Sequence, residues 1–149
     1  MRRPAVIIVA GFGVFVFLGL SFLLARGLTG SSAERGKVLA VLEAQAAGDA
    51  DAVLERLPAC RAEPTCAQVT RARVRELERP GAVQILTYRP STRLSLTRAV
   101  GTGRVAWRAG ESLPLVQCVR VRREGPLTGG TVELLSVSAP IARDRGCAS

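Results

Sequence analysis

The most prominent pattern in the chain is an uncharged apolar run over residues 5–25, in which Ser21 is the only polar side chain. A helix rises about 1.5 Å per residue, so a run of this length spans about 30 Å, the hydrocarbon thickness of a bilayer. A cleavable signal peptide has a similar basic start, but its apolar core is usually about 7–15 residues long. The pattern therefore favours an uncleaved transmembrane helix preceded by a cytoplasmic tail, residues 1–4. A cleaved signal peptide stays the alternative.

The polarity changes after this run. Residues 26–33 are rich in glycine and serine, which predicts a short flexible linker. Ser31 is followed three residues later by Glu34, and this spacing predicts a capping box at the start of a helix. We therefore expect a folded domain over residues 34–149. Its first helix has an apolar stripe at Val38, Leu39, Leu42 and Ala46.

A glycine–aspartate pair divides the next segment into two predicted helices. Gly48 suits the left-handed conformation that ends a helix, and Asp49 suits the cap of the following one. After the pair, Ala50, Val53, Leu54 and Leu57 recur at helical spacing and Pro58 ends the pattern. This break is the most specific local signal in the predicted domain.

Residues 65–79 have a weaker pattern that leaves two interpretations open. Thr70, Val74 and Leu77 fit one face of a helix, but the segment could equally be irregular. Pro80-Gly81 ends it in either case. We interpret its arginines as solvated residues with acidic neighbours rather than as a binding helix.

From residue 82 the apolar period changes to two, which is typical of strands with one buried and one wet face. The predicted strands cover residues 82–88, 92–97, 104–108, 113–123 and 131–138. Gly101-Thr102-Gly103 predicts a bend or bulge between two of them. Val105 and Trp107 share one face of their strand, so we expect Trp107 in the core.

These elements predict an α+β fold with two or three helices before an antiparallel sheet. The helix-GD-helix segment KVLAVLEAQAAGDADAVLERL (37–57), followed by the strand run 82–138, resembles the cystatin-like cone folds. That class includes the nuclear-transport-factor-like and ketosteroid-isomerase-like domains, and membrane-anchored bacterial proteins of this layout are similar to it. The resemblance implies a curled sheet of four or five strands and transfers no catalytic residue.

Four cysteines lie beyond the apolar run: Cys60, Cys66, Cys118 and Cys147. An even number in a small exported domain indicates two disulfides. Of the three possible pairings we favour Cys60–Cys66, a short local link, and Cys118–Cys147, which ties the C-terminal tail to a strand. The chain has no CxxC pair and no histidine, so we expect no metal site. Residues 34–149 are therefore predicted to lie outside the cytoplasm, beyond a single-pass anchor in the cell membrane.

Net charge is the next constraint on partners. The chain carries +9, and residues 34–149 hold 18 basic and 12 acidic side chains. Such a domain beside a membrane attracts anionic headgroups or cell-wall polymers. The domain has only Tyr88 and Trp107 as aromatic residues, which argues against nucleic-acid binding by stacking. The candidate basic binding face consists of Arg104, Arg108, Arg120 and Arg122, on two predicted strands.

Candidate catalytic chemistry is sparse, because a general base is usually a histidine or a carboxyl group with a shifted pKa. Glu133 would fit that role only if it faced the interior, and we interpret it as the surface partner of a strand arginine. GTGR (101–104) lacks the context of a phosphate loop. We expect no cofactor and no catalytic residue.

Three hypotheses follow, and the sequence does not predict an oligomeric state. The first is a non-catalytic extracytoplasmic domain, anchored in the bilayer through residues 5–25, that binds a protein partner, an envelope polymer or a small ligand. The second is a scaffold component of a secretion or conjugation apparatus. The third is a small enzyme that uses the pocket of a cone fold.

Overall fold

A computed structural model of the chain describes residues 3–90, 98–125 and 130–147, and it describes their side chains except at 3–10 and 23–31. The structure divides into two compact units, Met1–Ser32 and Ala33–Ser149. This division lies next to the predicted boundary between the linker and the domain.

The described residues form an α+β structure, which confirms the predicted class. The helices are α1 (Arg3–Ala46), α2 (Ala50–Glu55), α3 (Pro58–Ala62) and α4 (Pro64–Glu76). The strands are β1 (Val83–Arg89), β2 (Arg98–Ala109), β3 (Leu115–Glu124) and β4 (Thr131–Val137). They form one antiparallel sheet in the order β1-β2-β3-β4. The predicted strand at 92–97 lies outside the described residues.

The predicted membrane span falls within α1. Its described side chains, at residues 11–22, are all exposed and include Phe12, Phe15 and Phe17. Among the residues that the structure describes, no helix is both long enough and apolar enough to cross a bilayer. The structure therefore does not support the predicted span over residues 5–25. Within that range, the side chains of residues 5–10 and 23–25 lie outside the described ones.

Two predictions near the start of the second unit are wrong. Residues 26–33 are part of α1 rather than a flexible linker, so no helix begins at Ser31. Glu34 forms no capping box and is instead fully buried. The physical reason is that a helix already formed propagates at little cost, so a few glycine and serine residues do not end it.

The predicted Gly-Asp break is confirmed. Gly48 has a φ of +75°, and a carboxylate oxygen of Asp49 accepts from the Ala52 N–H at 2.9 Å. Pro58 begins α3, since proline is tolerated in the first helical turn. The ambiguous segment is helical: α4 begins after Glu63, whose side chain accepts from the N–H groups of Thr65 and Cys66.

The core lies between the helices and one face of the sheet, which we call the inner face. It contains Val105, Trp107 and Ala109 of β2 and Val119 and Val121 of β3. The helices contribute Val38, Val41, Leu42, Val53, Leu54 and Val74 to the same cluster. Trp107 is fully buried, as predicted.

The predicted bend at Gly101-Thr102-Gly103 is wrong, because β2 runs without interruption from residue 98 to 109. Gly101 pairs with Val121 and Gly103 pairs with Val119 of β3. The backbone hydrogen bonds to the neighbouring strand therefore keep these glycines extended, although glycine weakens an isolated strand.

A buried polar network joins α1 to the sheet. Gln117, which points into the core, accepts from the Trp107 indole N–H at 2.7 Å. Its amide group donates to the Ser138 carbonyl at 2.8 Å and exchanges hydrogen bonds with Gln45 of α1. These partners satisfy polar groups that would otherwise be costly to bury.

The Asp49 cap gives a testable prediction. Asp49→Ala removes the acceptor at the start of α2 and is expected to lower the free energy of unfolding by about 1 kcal/mol. Asp49→Asn keeps an acceptor and should stay close to the wild type. Urea denaturation followed by Trp107, the only tryptophan in the sequence, measures both variants. Equal destabilisation by the two would contradict the assigned cap.

Candidate functional site

The four arginines of the predicted basic face lie on one face of the sheet. In the register of β2 with β3, Arg104 pairs with Cys118, Thr102 with Arg120 and Val100 with Arg122. Because successive strand residues alternate between faces, these side chains and that of Arg108 point away from Val105, Trp107 and Val119. We call this the outer face.

Three of the four arginines have partners within the domain. Arg122 forms an ion pair with Glu133 at 3.1 Å, and both side chains are about one-third exposed. The Arg108 guanidinium donates to the Gln84 side chain at 3.1 Å. Arg104 donates to the carbonyls of Arg143 and Arg145. Arg120 is exposed and has no ion pair among the described residues.

The C-terminal tail lies against the sheet and reaches the outer face. The N–H of Ser138 donates to the Cys118 carbonyl, and the N–H of Ile141 donates to the Val116 carbonyl, each at 2.8 Å. The Cys118–Cys147 disulfide then closes the tail over Arg104, with a Cα–Cα distance of 5.7 Å. The other favoured pairing, Cys60–Cys66, is also present and joins α3 to α4.

Sequence reasoning missed two further arginines on this face: Arg98, which forms an ion pair with Glu124, and Arg89. Arg89, at the end of β1, pairs directly with Arg104 of β2 and is exposed. Two like charges in directly opposite positions destabilise a strand pair. The pairing was not predictable, because nothing in the alternation of β1 specifies its register with β2.

The positive charge is segregated within residues 34–149. All twelve acidic side chains of the chain lie in described parts of it. The helical segment 34–80 has eight basic and eight acidic residues, whereas the segment 81–149 has ten basic and four acidic residues. The whole excess of +6 therefore comes from the half of the domain that contains the sheet and the tail.

A second charged cluster is buried and was also missed. Glu34 of α1 accepts from the Tyr88 hydroxyl with one carboxylate oxygen and pairs with the Arg123 guanidinium through the other. Glu34 is fully buried, and 29% of the Arg123 side chain is exposed. Val119, Val121 and Arg123 recur at every second position of β3 and therefore lie on the same, inner face. This spacing is the sequence signal that could have identified Arg123 as part of the buried cluster.

Burial first, and then the hydrogen bond to Glu34, raises the pKa of Tyr88 well above its ordinary value. A tyrosine in this state stays protonated near neutral pH and acts as a hydrogen-bond donor. The arrangement therefore links α1 to β1 and β3 and satisfies the buried carboxylate.

Two further features of the second unit carry groups that chemistry could use. Glu133 lies on the outer face in its pair with Arg122 and not in an apolar concavity. An open groove of about 710 Å³ lies beside the end of α1, with Glu43, Arg75, Glu78 and Arg79 in its lining. Within the described ranges, no group of three or more cysteine or acidic side chains could hold a metal ion.

No family model, curated protein or solved structure matches this chain. The resemblance to cystatin-like domains therefore stays a prediction.

The buried cluster predicts how Tyr88, the only tyrosine in the sequence, titrates. In the folded protein, tyrosinate absorbance should appear only well above pH 10.0, the ordinary pKa, and Glu34→Gln should lower that pKa because it removes the neighbouring negative charge. Since the pKa is higher in the folded state, the contribution to stability is complete below about pH 10 and is lost as the pH rises further.

The matched reference for this titration is the protein unfolded in urea, where Tyr88 should ionise near its ordinary pKa. Identical titration curves for the folded wild type and the Glu34→Gln variant would contradict the assigned hydrogen bond.

Proposed function

We propose that the chain is an exported, non-catalytic binding domain, tethered to the cell membrane by residues 5–25, that recognises an anionic partner through the outer face of its sheet. The observation that carries the proposal is the segregation of charge. The helical segment 34–80 is electrically balanced, whereas the segment 81–149 holds the entire excess of +6. On the outer face of the sheet, Arg89 and Arg120 take part in no ion pair with a described residue, so positive charge remains there to attract and orient an anionic partner.

The disulfides support the exported location. All four cysteines lie beyond residue 59, and they are joined as Cys60–Cys66 and Cys118–Cys147. Disulfides persist in oxidising compartments and are rare in the reducing cytosol. A domain of about 115 residues with two disulfides fits the periplasm or the cell exterior.

The tether is supported by the uncharged run over residues 5–25. The described side chains of this run, at residues 11–22, are all exposed. They are apolar at every position except the glycines and Ser21. Exposed apolar surface of this kind marks a site of interaction with a membrane or another protein. Arg2 and Arg3 precede the run and Arg26, Arg35 and Lys37 follow it, so the proposed orientation rests on the disulfides rather than on the flanking charges.

The binding role, rather than catalysis, is supported by the state of the titratable groups. Glu34 accepts a hydrogen bond from Tyr88 and forms an ion pair with Arg123, and Glu133 forms an ion pair with Arg122. Neither carboxylate lies free in a pocket where it could exchange a proton with a substrate.

Export is tested with alkaline phosphatase fused after Ser149 of the full chain, because this reporter needs disulfides that form outside the cytoplasm. We expect an active fusion from the wild type and from Val14→Leu/Leu18→Val. Val14→Arg/Leu18→Arg should abolish activity, since each arginine at the centre of a span costs about 2.5 kcal/mol or more. An active arginine variant would contradict the tether. The intact mass of the oxidised protein would show cleavage directly.

The anionic partner is tested by chromatography of the oxidised full chain, in neutral detergent, on immobilised heparin. Arg120→Glu on the outer face and Arg61→Glu on α3 change the net charge equally, and both side chains are exposed. We expect Arg120→Glu to elute at clearly lower salt than Arg61→Glu. Elution of the two variants together would show that retention follows net charge alone, and the proposed face would then be wrong.

A further inference from the structure

Resting on the function proposed above, we propose that the outer face binds a linear polymer of phosphate groups, which crosses the strands at Arg89, Arg104 and Arg120. This assignment names both the site and the chemical class of the partner. This site is narrower than the four-arginine face predicted from the sequence. Of its three arginines, only Arg104 has hydrogen-bond partners within the described part of the domain.

The three arginines lie on three neighbouring strands. Arg89 of β1 is directly opposite Arg104 of β2, and Arg120 of β3 is diagonal to Arg104, two residues beyond its partner Cys118. Neighbouring strands are about 4.8 Å apart and two residues along a strand add about 6.7 Å, so the Cα atoms of Arg89 and Arg120 are about 12 Å apart with Arg104 between them. A chain of evenly spaced anions can contact all three at once.

No described carboxylate forms an ion pair with the three arginines of this site, although Asp144 stands on the tail between the two residues whose carbonyls accept from Arg104. The acidic residues of the outer face, Glu124 and Glu133, form ion pairs with Arg98 and Arg122 respectively. Arg89 and Arg120 are exposed and take part in no ion pair with a described residue, and the segments outside the described ranges contain no aspartate or glutamate. An anion bound between Arg89 and Arg104 would remove the repulsion that their direct opposition creates.

The middle cation is held in place before any ligand arrives. Nε and Nη2 of Arg104 donate to the carbonyls of Arg145 and Arg143, and the Cys118–Cys147 disulfide fixes the tail that carries them. Carbonyl groups orient the guanidinium without cancelling its charge. A charge fixed in this way binds an anion with a smaller loss of side-chain entropy.

The position of the aromatic side chains selects the class of polyanion. Tyr88 and Trp107, the two aromatic residues of the second unit, both point to the inner face. Single-stranded nucleic acids are bound by stacking on aromatic side chains, and membrane interfaces are bound by aromatic and apolar side chains beside the cations. No described aromatic side chain lies beside Arg89, Arg104 and Arg120, so this site fits a polymer backbone that carries anions and no bases.

Binding of fluorescently labelled long-chain inorganic polyphosphate to the oxidised full chain in neutral detergent tests the inference. Arg89→Gln/Arg120→Gln should weaken binding by about tenfold or more. It should also lower the slope of log affinity against log salt by about two, because two fewer phosphates are neutralised. The control, Arg61→Gln/Arg75→Gln, removes two exposed charges from α3 and α4 and should keep the slope within about one of the wild type.

The outcomes separate this inference from the function on which it rests. Equal weakening by both double variants would overturn the site and leave binding that follows net charge. Binding of inorganic phosphate as tight as that of the polymer, or binding only to vesicles that contain phosphatidylglycerol, would overturn the polymer assignment. If the wild type bound neither polyphosphate nor these vesicles but was retained on heparin, only the polymer assignment would fall; if heparin did not retain it either, the proposed function would fall as well. Unchanged Trp107 fluorescence and oxidised mass confirm that each variant is folded.

Discussion

The second unit depends on a carboxylate that is fully removed from water. Glu34 has no exposed surface, and burying an isolated charge would cost several kcal/mol. The Tyr88 hydroxyl and the Arg123 guanidinium make this burial tolerable, and they come from β1 and β3. One side chain of α1 therefore connects the helix to two strands that are not neighbours in the sheet.

Two further polar links hold the same helix. Lys37 donates to the Val132 carbonyl of β4, and Gln45 exchanges hydrogen bonds with Gln117 of β3. Apolar packing alone tolerates small sliding movements between a helix and a sheet, whereas the buried hydrogen bonds between Gln45 and Gln117 specify one arrangement. The core and α1 therefore cover the inner face of the sheet. The outer face is the part of the sheet on which a partner can lie.

Local sequence signals predicted the features that depend on neighbouring residues. The Gly48-Asp49 break needs only a left-handed residue and a cap, and the period-two runs identify strands and their buried sides. Pairing across the sheet is different, because it depends on residues distant in sequence. The glycines at 101 and 103 were interpreted as a bend, but β3 keeps them extended, and the opposition of Arg89 to Arg104 could not be anticipated without the register of β1. Glu34 illustrates the same limit, since the sequence predicts a capping box at this residue and the structure shows a buried ion pair with Arg123.

The run Arg120-Val121-Arg122-Arg123 shows why composition cannot measure a binding surface. Arg123 points inward and is paired with Glu34, Arg122 points outward and is paired with Glu133, and Arg120 points outward without an ion pair among the described residues. Three identical side chains within four positions thus have three roles: Arg123 stabilises the core, Arg122 stabilises the surface, and Arg120 remains available to a partner. The charge that a partner encounters is the charge left after the fold has used its own pairs. In this domain that remainder is concentrated where Arg89 and Arg120 flank Arg104, and a cluster defined by strand register is visible only in three dimensions.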